Sequence, residues 1–487
     1  MLSDLSTEDS ARRQAPPANL QGRLGTGAIV FMVIAAAAPL TVIGGNVPLA
    51  VASGPGAGAP VGFAIASLVL LLFAVGFVTM TPHVPEAGAF YAYTTRGLGD
   101  RIGVGTAAVA LVAYTAIQVA IYGYMGWAVN DVVQYFGGPS APWWLWALVA
   151  LGIVALLGYR HIDLSSKVLG VALVLEIAVV VVLDAVIFAK GGAHGVNVES
   201  FTPDAALSGP LGIAVLFALT GFIGFEATAV FRDEARNPEK TIPRATYLAV
   251  LIIGAFYTVS CWALVLAAGT DEASAVANKT LNGEGNMLMD IGQTYVGTAL
   301  RDIMQVLLLS SLFACVLSFH NVIARYTFTL ARKGLMPARL GTVHPRHHSP
   351  SCSSVVQTTT ALVLVGACAL IGLDPLVGVF GSMAGVSTVG MVLLMLTTSV
   401  AVVVFFARNP HIADGRPWQT RIAPVLAVLG LLASLWLVFS NFTLVTGGSM
   451  GVSIVLGIIP FAAFAAGIAR GPKKNPEPAA QTPSAQS

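Results

Sequence analysis

Apolar residues fill this chain in long blocks, and the block length is its first informative quantity. A helix needs about 20 apolar residues to cross the hydrocarbon core of a bilayer. Twelve blocks meet or approach that length: 27–52, 58–80, 104–134, 142–159, 164–189, 209–231, 243–269, 300–330, 353–373, 376–407, 422–444 and 448–469. They predict an all-α integral membrane fold of about twelve transmembrane helices. The longer ones tilt or run beyond the membrane. The polar blocks between them predict short loops, apart from two longer ones at 191–210 and 270–299. The second of these ends in NMLMDIGQTYVGTA, which reads as a surface helix leading into the eighth span.

Charge orients the blocks. With the N-terminus in the cytosol, the inward-facing segments hold all but three of the 25 lysines and arginines, and only Lys190, Lys279 and Arg301 fall outside. Cytoplasmic loops carry such an excess, so both termini are expected in the cytosol and the protein in the cytoplasmic membrane. Residues 1–25 contain no apolar core of a signal peptide and read as a cytosolic tail. Residues 471–487, rich in Pro, Ala, Gln and Ser, read as a disordered tail.

Composition narrows the class. Hydrophobic residues make up 56% and charged residues 10% of the chain, too little charge to cover a soluble protein of 487 residues. The net charge of +2 gives no reason to expect nucleic acid. Cys261, Cys315, Cys352 and Cys368 show no paired spacing, so neither a disulfide framework nor a zinc site is expected. No nucleophile–base motif and no Walker loop is present, which argues against an enzyme and against ATP drive. No cofactor is expected.

Two blocks carry helix-breaking residues at membrane depth. Block six reads GPLGIAVLFALT, then GFIG, then FEATAVFRDEA, with Gly221, Gly224 and Glu226 in its middle. Block one reads FMVIAAAAPLTVIGGNVPLAVASG, with Pro39, Gly44, Gly45 and Pro48. Irregular backbone survives in a membrane only where protein or a water-filled cavity satisfies it. A half-helix ending near Thr220 would turn carbonyls toward a cation, and one starting near Phe225 would turn N–H groups toward an anion. Interruptions at matching positions of two halves point to a transporter's substrate site.

Three separated motifs, GFIGFEATAVFRDEARNPEKTIPRA, HVPEAGAFYAYTTRGLG and NVIARYTFTLARKGLMPARLGTVHP, resemble signatures of the amino acid–polyamine–organocation family of permeases. The resemblance covers roughly residues 25–470. It implies a LeuT-type fold, with a first five-helix repeat over 26–190, an inverted second repeat over 208–407 and two peripheral helices over 421–470. It implies alternating access, with broken helices one and six holding the substrate. Carried over, the substrate site comprises Ala38, Pro39, Leu40 and Thr41 at the first break and Thr220, Phe222, Ile223 and Gly224 at the second. Glu226 matches a proton-linked carboxylate of some members. Glu176 stands where sodium-independent relatives often place a lysine, whose ammonium replaces a sodium ion between spans one, five and eight. Pro39 supplies no N–H, a feature shared with polyamine-carrying members.

Individual polar residues complete the expected site. Glu176 and Glu226 are acids in apolar spans, a costly placement that points to function or pairing. Asp184 is expected in the outer vestibule. Tyr114, Gln118 and Tyr122 form an i, i+4, i+8 stripe that either walls the cavity or bonds between helices. Ser310, Ser311 and Ser318 offer hydroxyls to a cation, or pack between helices. His344–His348 matches a family loop rather than a metal site, and Pro243 suits the first turn of span seven. The expected function is proton-coupled secondary active uptake of amino acids, with sodium as the rival coupling ion and carriage of a polyamine or other organic cation as the alternative.

Overall fold

The computed structural model describes residues 24–84, 89–160, 166–230, 235–344, 349–413, 415–447 and 449–471. Residues 1–23 and 472–487 of the expected tails lie outside them. So do 85–88 and 231–234 of the loop motifs and 345–348 of the histidine cluster.

The first apolar block is not one regular helix. It divides into α1 (Thr26–Ala37), a helical turn Pro39–Thr41, a π-helical turn Val42–Asn46 and α2 (Val47–Ser53). The division falls at Ala38, whose φ of 46° is the one positive value among the described non-glycine residues. Pro39 explains it: its ring pushes the preceding residue out of the right-handed helical region, and its nitrogen offers no donor. A left-handed alanine costs roughly 1–2 kcal/mol. Gly44 and Gly45 do not break the chain here. They admit the Tyr124 ring, since a Cβ on Gly45 would stand 2.7 Å from Tyr124 Cε1.

Next come α3 (Ala59–Met80), the short α4 (Ala89–Leu98), α5 (Asp100–Tyr135), α6 (Trp143–Arg160) and α7 (Ser166–Lys190). Block six then yields only α8 (Leu211–Gly221), after which the backbone turns through Phe222–Glu226 and resumes as Ala227–Val230. Gly224, at φ 111°, makes that turn. Block seven is α9 (Pro238–Ala268); Pro238 occupies its first turn, and Pro243, expected there, sits inside the helix. The long polar loop folds into α10 (Ala273–Leu281) and α11 (Met287–Tyr295). The second is the expected surface helix, and Asn286 caps it by accepting from the Met289 amide. The chain ends with α12 (Thr298–Arg332), α13 (Ser351–Leu370), α14 (Ser382–Arg408), α15 (Ala423–Ser440) and α16 (Met450–Arg470).

Among the described residues, eleven helical stretches are long and apolar enough to cross a membrane, and Leu211–Gly221 is a shorter apolar helix. The expected span missing from the eleven is therefore block six, the one whose interruption leaves only a short helix. The long α5 is the hub of the packing, touching α4, α6, α12, α14 and α16. Where surrounding lipid is as apolar as the helices, such contacts hold by shape and by buried polar bonds rather than by a hydrophobic drive.

Charged side chains gather at the two ends of the bundle. At one end Arg408 Nη1 donates to Gly97 O at 3.3 Å, and Lys333 stands 4.7 Å over the Tyr91 ring. At the other, Arg301 pairs with Asp290 at 2.7 Å and covers the Tyr135 ring at 4.3 Å, while Lys190 Nζ donates to Tyr295 O at 2.7 Å.

Candidate functional site

A cavity of about 30 Å³ lies where the two interrupted stretches meet. The first contributes Ala36, Ala37, Ala38, Thr41, Val42 and Asn46, and the second Thr220 and Ile223. Ile117 and Ile121 of α5, Cys315 and Phe319 of α12, and Phe380 close the walls. That volume holds about one water. Small-molecule sites usually need about 300 Å³ or more, so a substrate enters only if these walls move apart.

Buried polar bonds tie the interruptions to their surroundings. Asn46 Nδ2 donates to Phe217 O at 2.8 Å, joining the first stretch to α8. Tyr257 Oη on α9 donates to Ala37 O at 3.1 Å. Thr220 and Thr388 share a hydroxyl bond of 2.5 Å. The amides at the first interruption are largely committed. Ala38 N–H goes to Ala35 O at 3.2 Å, Pro39 has none, and Leu40 N–H faces the Glu176 carboxylate. This leaves fewer free donors for a substrate carboxylate than the family resemblance implies.

The two acids sit in separate groups. Glu176 on α7 accepts a 2.8 Å bond from Ser311 Oγ of α12, and Ser311 in turn accepts from Thr41 Oγ1 at 3.2 Å. One chain of hydroxyls thus links spans one, eight and five, and it starts from a residue of the cavity wall. Glu226 is enclosed more tightly. Tyr114 Oη of α5 donates to its Oε1 at 2.6 Å, and the Gly224 N–H donates to its Oε2 at 2.9 Å. A neutral bond is worth about 1 kcal/mol and one to a charged group about 1.5–3 kcal/mol. Glu226 therefore holds the second interruption in shape, and losing that grip frees both the Gly224 amide and the Tyr114 hydroxyl.

Not every expected residue reaches the cavity. Ala38, Thr41, Thr220 and Ile223 line it. Pro39 and Leu40 are buried behind it, and Phe222 packs edge-on against Tyr257 with ring centroids 5.8 Å apart. Gly224 and Tyr114 act on Glu226 instead. Gln118 is drawn to another group: its Oε1 accepts from Gln357 Nε2 at 2.6 Å and its Nε2 donates to Val316 O at 3.4 Å. Ser354, one turn from Gln357 on α13, bonds His320 Nε2 of α12 at 2.8 Å. Tyr122 is buried elsewhere on α5. Ser311 joins Glu176, but Ser318 is exposed two turns further along α12, and Ser310 is exposed with its hydroxyl on Leu307 O. Asp184, expected in a vestibule, is 8% exposed and bonded to Ser260 of α9.

Asn46, Ile117, Ile121, Cys315, Phe319 and Phe380 escaped the sequence reading. Only Asn46 carried a signal, as a polar side chain inside an apolar block. The others are ordinary span residues until the helices around them are placed. Among the described residues no group of three metal-ligating side chains occurs.

The sequence matches the amino acid permease family model over residues 28–467. It is 27% identical over 480 residues to the branched-chain amino acid permease BcaP of Bacillus subtilis, covering 94% of each chain. It is 22% identical to the serine/threonine exchanger SteT of the same organism, covering 77% of this chain and 81% of that one. It is 22% identical to the low-affinity putrescine importer PlaP of Escherichia coli K12, covering 65% of this chain and 67% of that one. The matched relatives are transporters, and the chain is a multi-pass membrane protein.

Proposed function

We propose that this chain, which belongs to the amino acid permease family, is a secondary active carrier that takes up amino acids by alternating access, coupled to protons. One observation carries the reading: residues of both interrupted stretches, Ala38 and Thr41 from one and Thr220 and Ile223 from the other, line a single buried cavity. Irregular backbone is tolerated at such a depth where it faces a cavity, and carriers bind substrate where interrupted helices meet. The two stretches occupy corresponding places in the inverted repeats over 26–190 and 208–407. Opening toward one side and then the other enlarges the cavity and admits the substrate.

Coupling rests on Glu176, through its hydroxyl chain to Thr41, and on Glu226, through its hold on Gly224. A proton on Glu176 weakens its bond to Ser311 and shifts the balance between conformations by its differential affinity for them. A sodium ion bound by Glu176, Thr41 and Ser311 is the competing occupant of the same group. The lysine and arginine bias supports both termini in the cytosol, and the cytoplasmic membrane is the placement that suits uptake.

A second reading has its own support. The committed amides at Ala38 and Leu40 and the missing one at Pro39 leave a weak cradle for a carboxylate. An organic cation such as a polyamine needs no such cradle. Reconstituted protein tested with labelled amino acids and polyamines in competition separates the two. Amino acid uptake with saturable counterflow supports the first, and uptake of polyamines alone replaces it with the second.

A further inference from the structure

The acid on α7 that the coupling scheme leaves unused is Asp184. It lies eight residues beyond Glu176 on the same helix, about 12 Å further along at 1.5 Å per residue. Its side chain is 8% exposed. Ser260 Oγ donates to its Oδ2 at 2.6 Å, and its Oδ1 has no hydrogen-bond partner among the described residues. A buried carboxylate with one oxygen bare is the costly arrangement that natural structures avoid. A carboxylic acid in the same place leaves at most one weakly polar atom unpaired, and a proton that comes and goes makes the bare oxygen useful.

We propose that Asp184 is a second proton-carrying acid, in series with Glu176, which takes a proton from water at the Lys190 end of α7 and passes it inward. This rests on the proton-coupled reading of Glu176. The elements around it suit the task. On α9, Tyr257 stands one turn inward of Ser260; its hydroxyl bonds Ala37 O and lies near enough to feel the charge of Glu176. Ser260, bonded to Asp184, and Tyr257, bonded to Ala37 O, thus stand on the face of α9 that packs against α7. The other titratable or charged groups of the packed elements are Cys261 on α9, Arg301 and Asp302 on α12, Asp290 and Tyr295 on α11, and Lys190 on α7 itself. Arg301 is engaged by Asp290, and Lys190 by Tyr295 O. Neither cation neutralises Asp184. The transfer is balanced: an O–H bond forms at Asp184 Oδ1 as a hydronium ion at the Lys190 end gives up its proton and leaves as water, and that O–H bond breaks as an O–H bond forms on the Glu176 carboxylate.

Infrared difference spectra of the full chain in lipid, taken between high and low pH, test the proposal without transport. The parent should show titrating carboxylic C=O bands from its buried acids, Asp184 and Glu176 among them. Asp184→Asn should remove one of them and Glu176→Gln a different one, while Ser260→Ala should move the Asp184 band without deleting it. In proteoliposomes, Asp184→Asn should slow proton-driven uptake about tenfold or more, leave substrate-for-substrate exchange within about twofold of the parent, and shift the pH dependence of uptake. Asp184→Glu should restore uptake. A parent spectrum that Asp184→Asn leaves unchanged overturns the proposal, as does an equal loss of exchange and uptake that Asp184→Glu fails to restore. Should the parent show no proton-driven accumulation, the coupling reading falls, and the infrared band alone decides whether Asp184 binds a proton.

Discussion

At the scale of single residues, Ala38 carries the clearest strain. Pro39 disfavours the right-handed helical region for Ala38, which takes the left-handed one instead, at a cost of roughly 1–2 kcal/mol. Ala38→Val adds a branch at Cβ to that conformation and should destabilise the protein by a further ~1–2 kcal/mol. Ala38→Gly removes the clash and should be neutral or slightly stabilising. Melting temperatures of the two variants in detergent check this, and equal values would mean that Ala38 bears no strain. Glu176 offers the functional counterpart. Glu176→Gln imitates the protonated acid and keeps a partner for Ser311, so substrate exchange should survive while proton-driven accumulation collapses. Undiminished accumulation against a gradient would reduce the Ser311–Glu176 bond to a structural one and leave coupling to Glu226.

At the scale of elements, the interruption after α8 is the critical one. A Cβ on Gly221 would stand 3.0 Å from Val42 Cγ1 and 3.1 Å from Tyr257 Cε2, and Gly224 sits at φ 111°. The first glycine provides close approach between the two interrupted stretches, and the second provides a turn that side chains disfavour. Valine at either position should cut transport at least tenfold, since the stretches can no longer meet as they do, while surface expression stays near that of the parent. Initial uptake rates measured beside quantified membrane protein decide it, and near-normal transport in both variants would sink the site. The sequence made these interruptions visible because glycine and proline cluster there, although Gly44 and Gly45 admit a ring and Pro243 is held inside a helix without a break. It also marked Glu176, Glu226 and Ser311, because acids and hydroxyls stand out in apolar blocks. It left Gln118 and Ser318 open between a place in the site and a bond between helices, because a polar residue in a span announces a partner without saying which helix supplies it. The stripe Tyr114, Gln118, Tyr122 advances about 40° per step around α5, so its members face different neighbours. Ile117 and Ile121 reach the cavity from that helix instead.

At the scale of the whole molecule, the pattern of charge makes a claim about sides. The bundle end that joins Arg408 to Gly97 and Lys333 to Tyr91 belongs to the arginine-rich loops. The opposite end carries Lys190 and Arg301, each held by a neighbour on α11. Arginine-rich loops are retained in the cytoplasm during insertion, so the first end should face the cytosol. The protein contains its own reporter of this. Cys261, Cys315 and Cys368 are buried, whereas Cys352 is exposed at the start of α13, one helix along from the arginine-rich end of α12. A membrane-impermeant maleimide should leave intact cells unlabelled and should label inside-out vesicles at one site per chain. Cys352→Ser should abolish that labelling. A single cysteine placed at Asn282, in the loop between α10 and α11, should show the reverse pattern in the Cys352→Ser background. Labelling of Cys352 in intact cells would invert the assignment of sides and, with it, the direction in which Glu176 and Asp184 load their protons. The measurement also bears on the count of spans. A chain with twelve crossings places α13 after an even number of them, whereas one in which the interrupted α8 fails to cross would put Cys352 on the other side from the N-terminus.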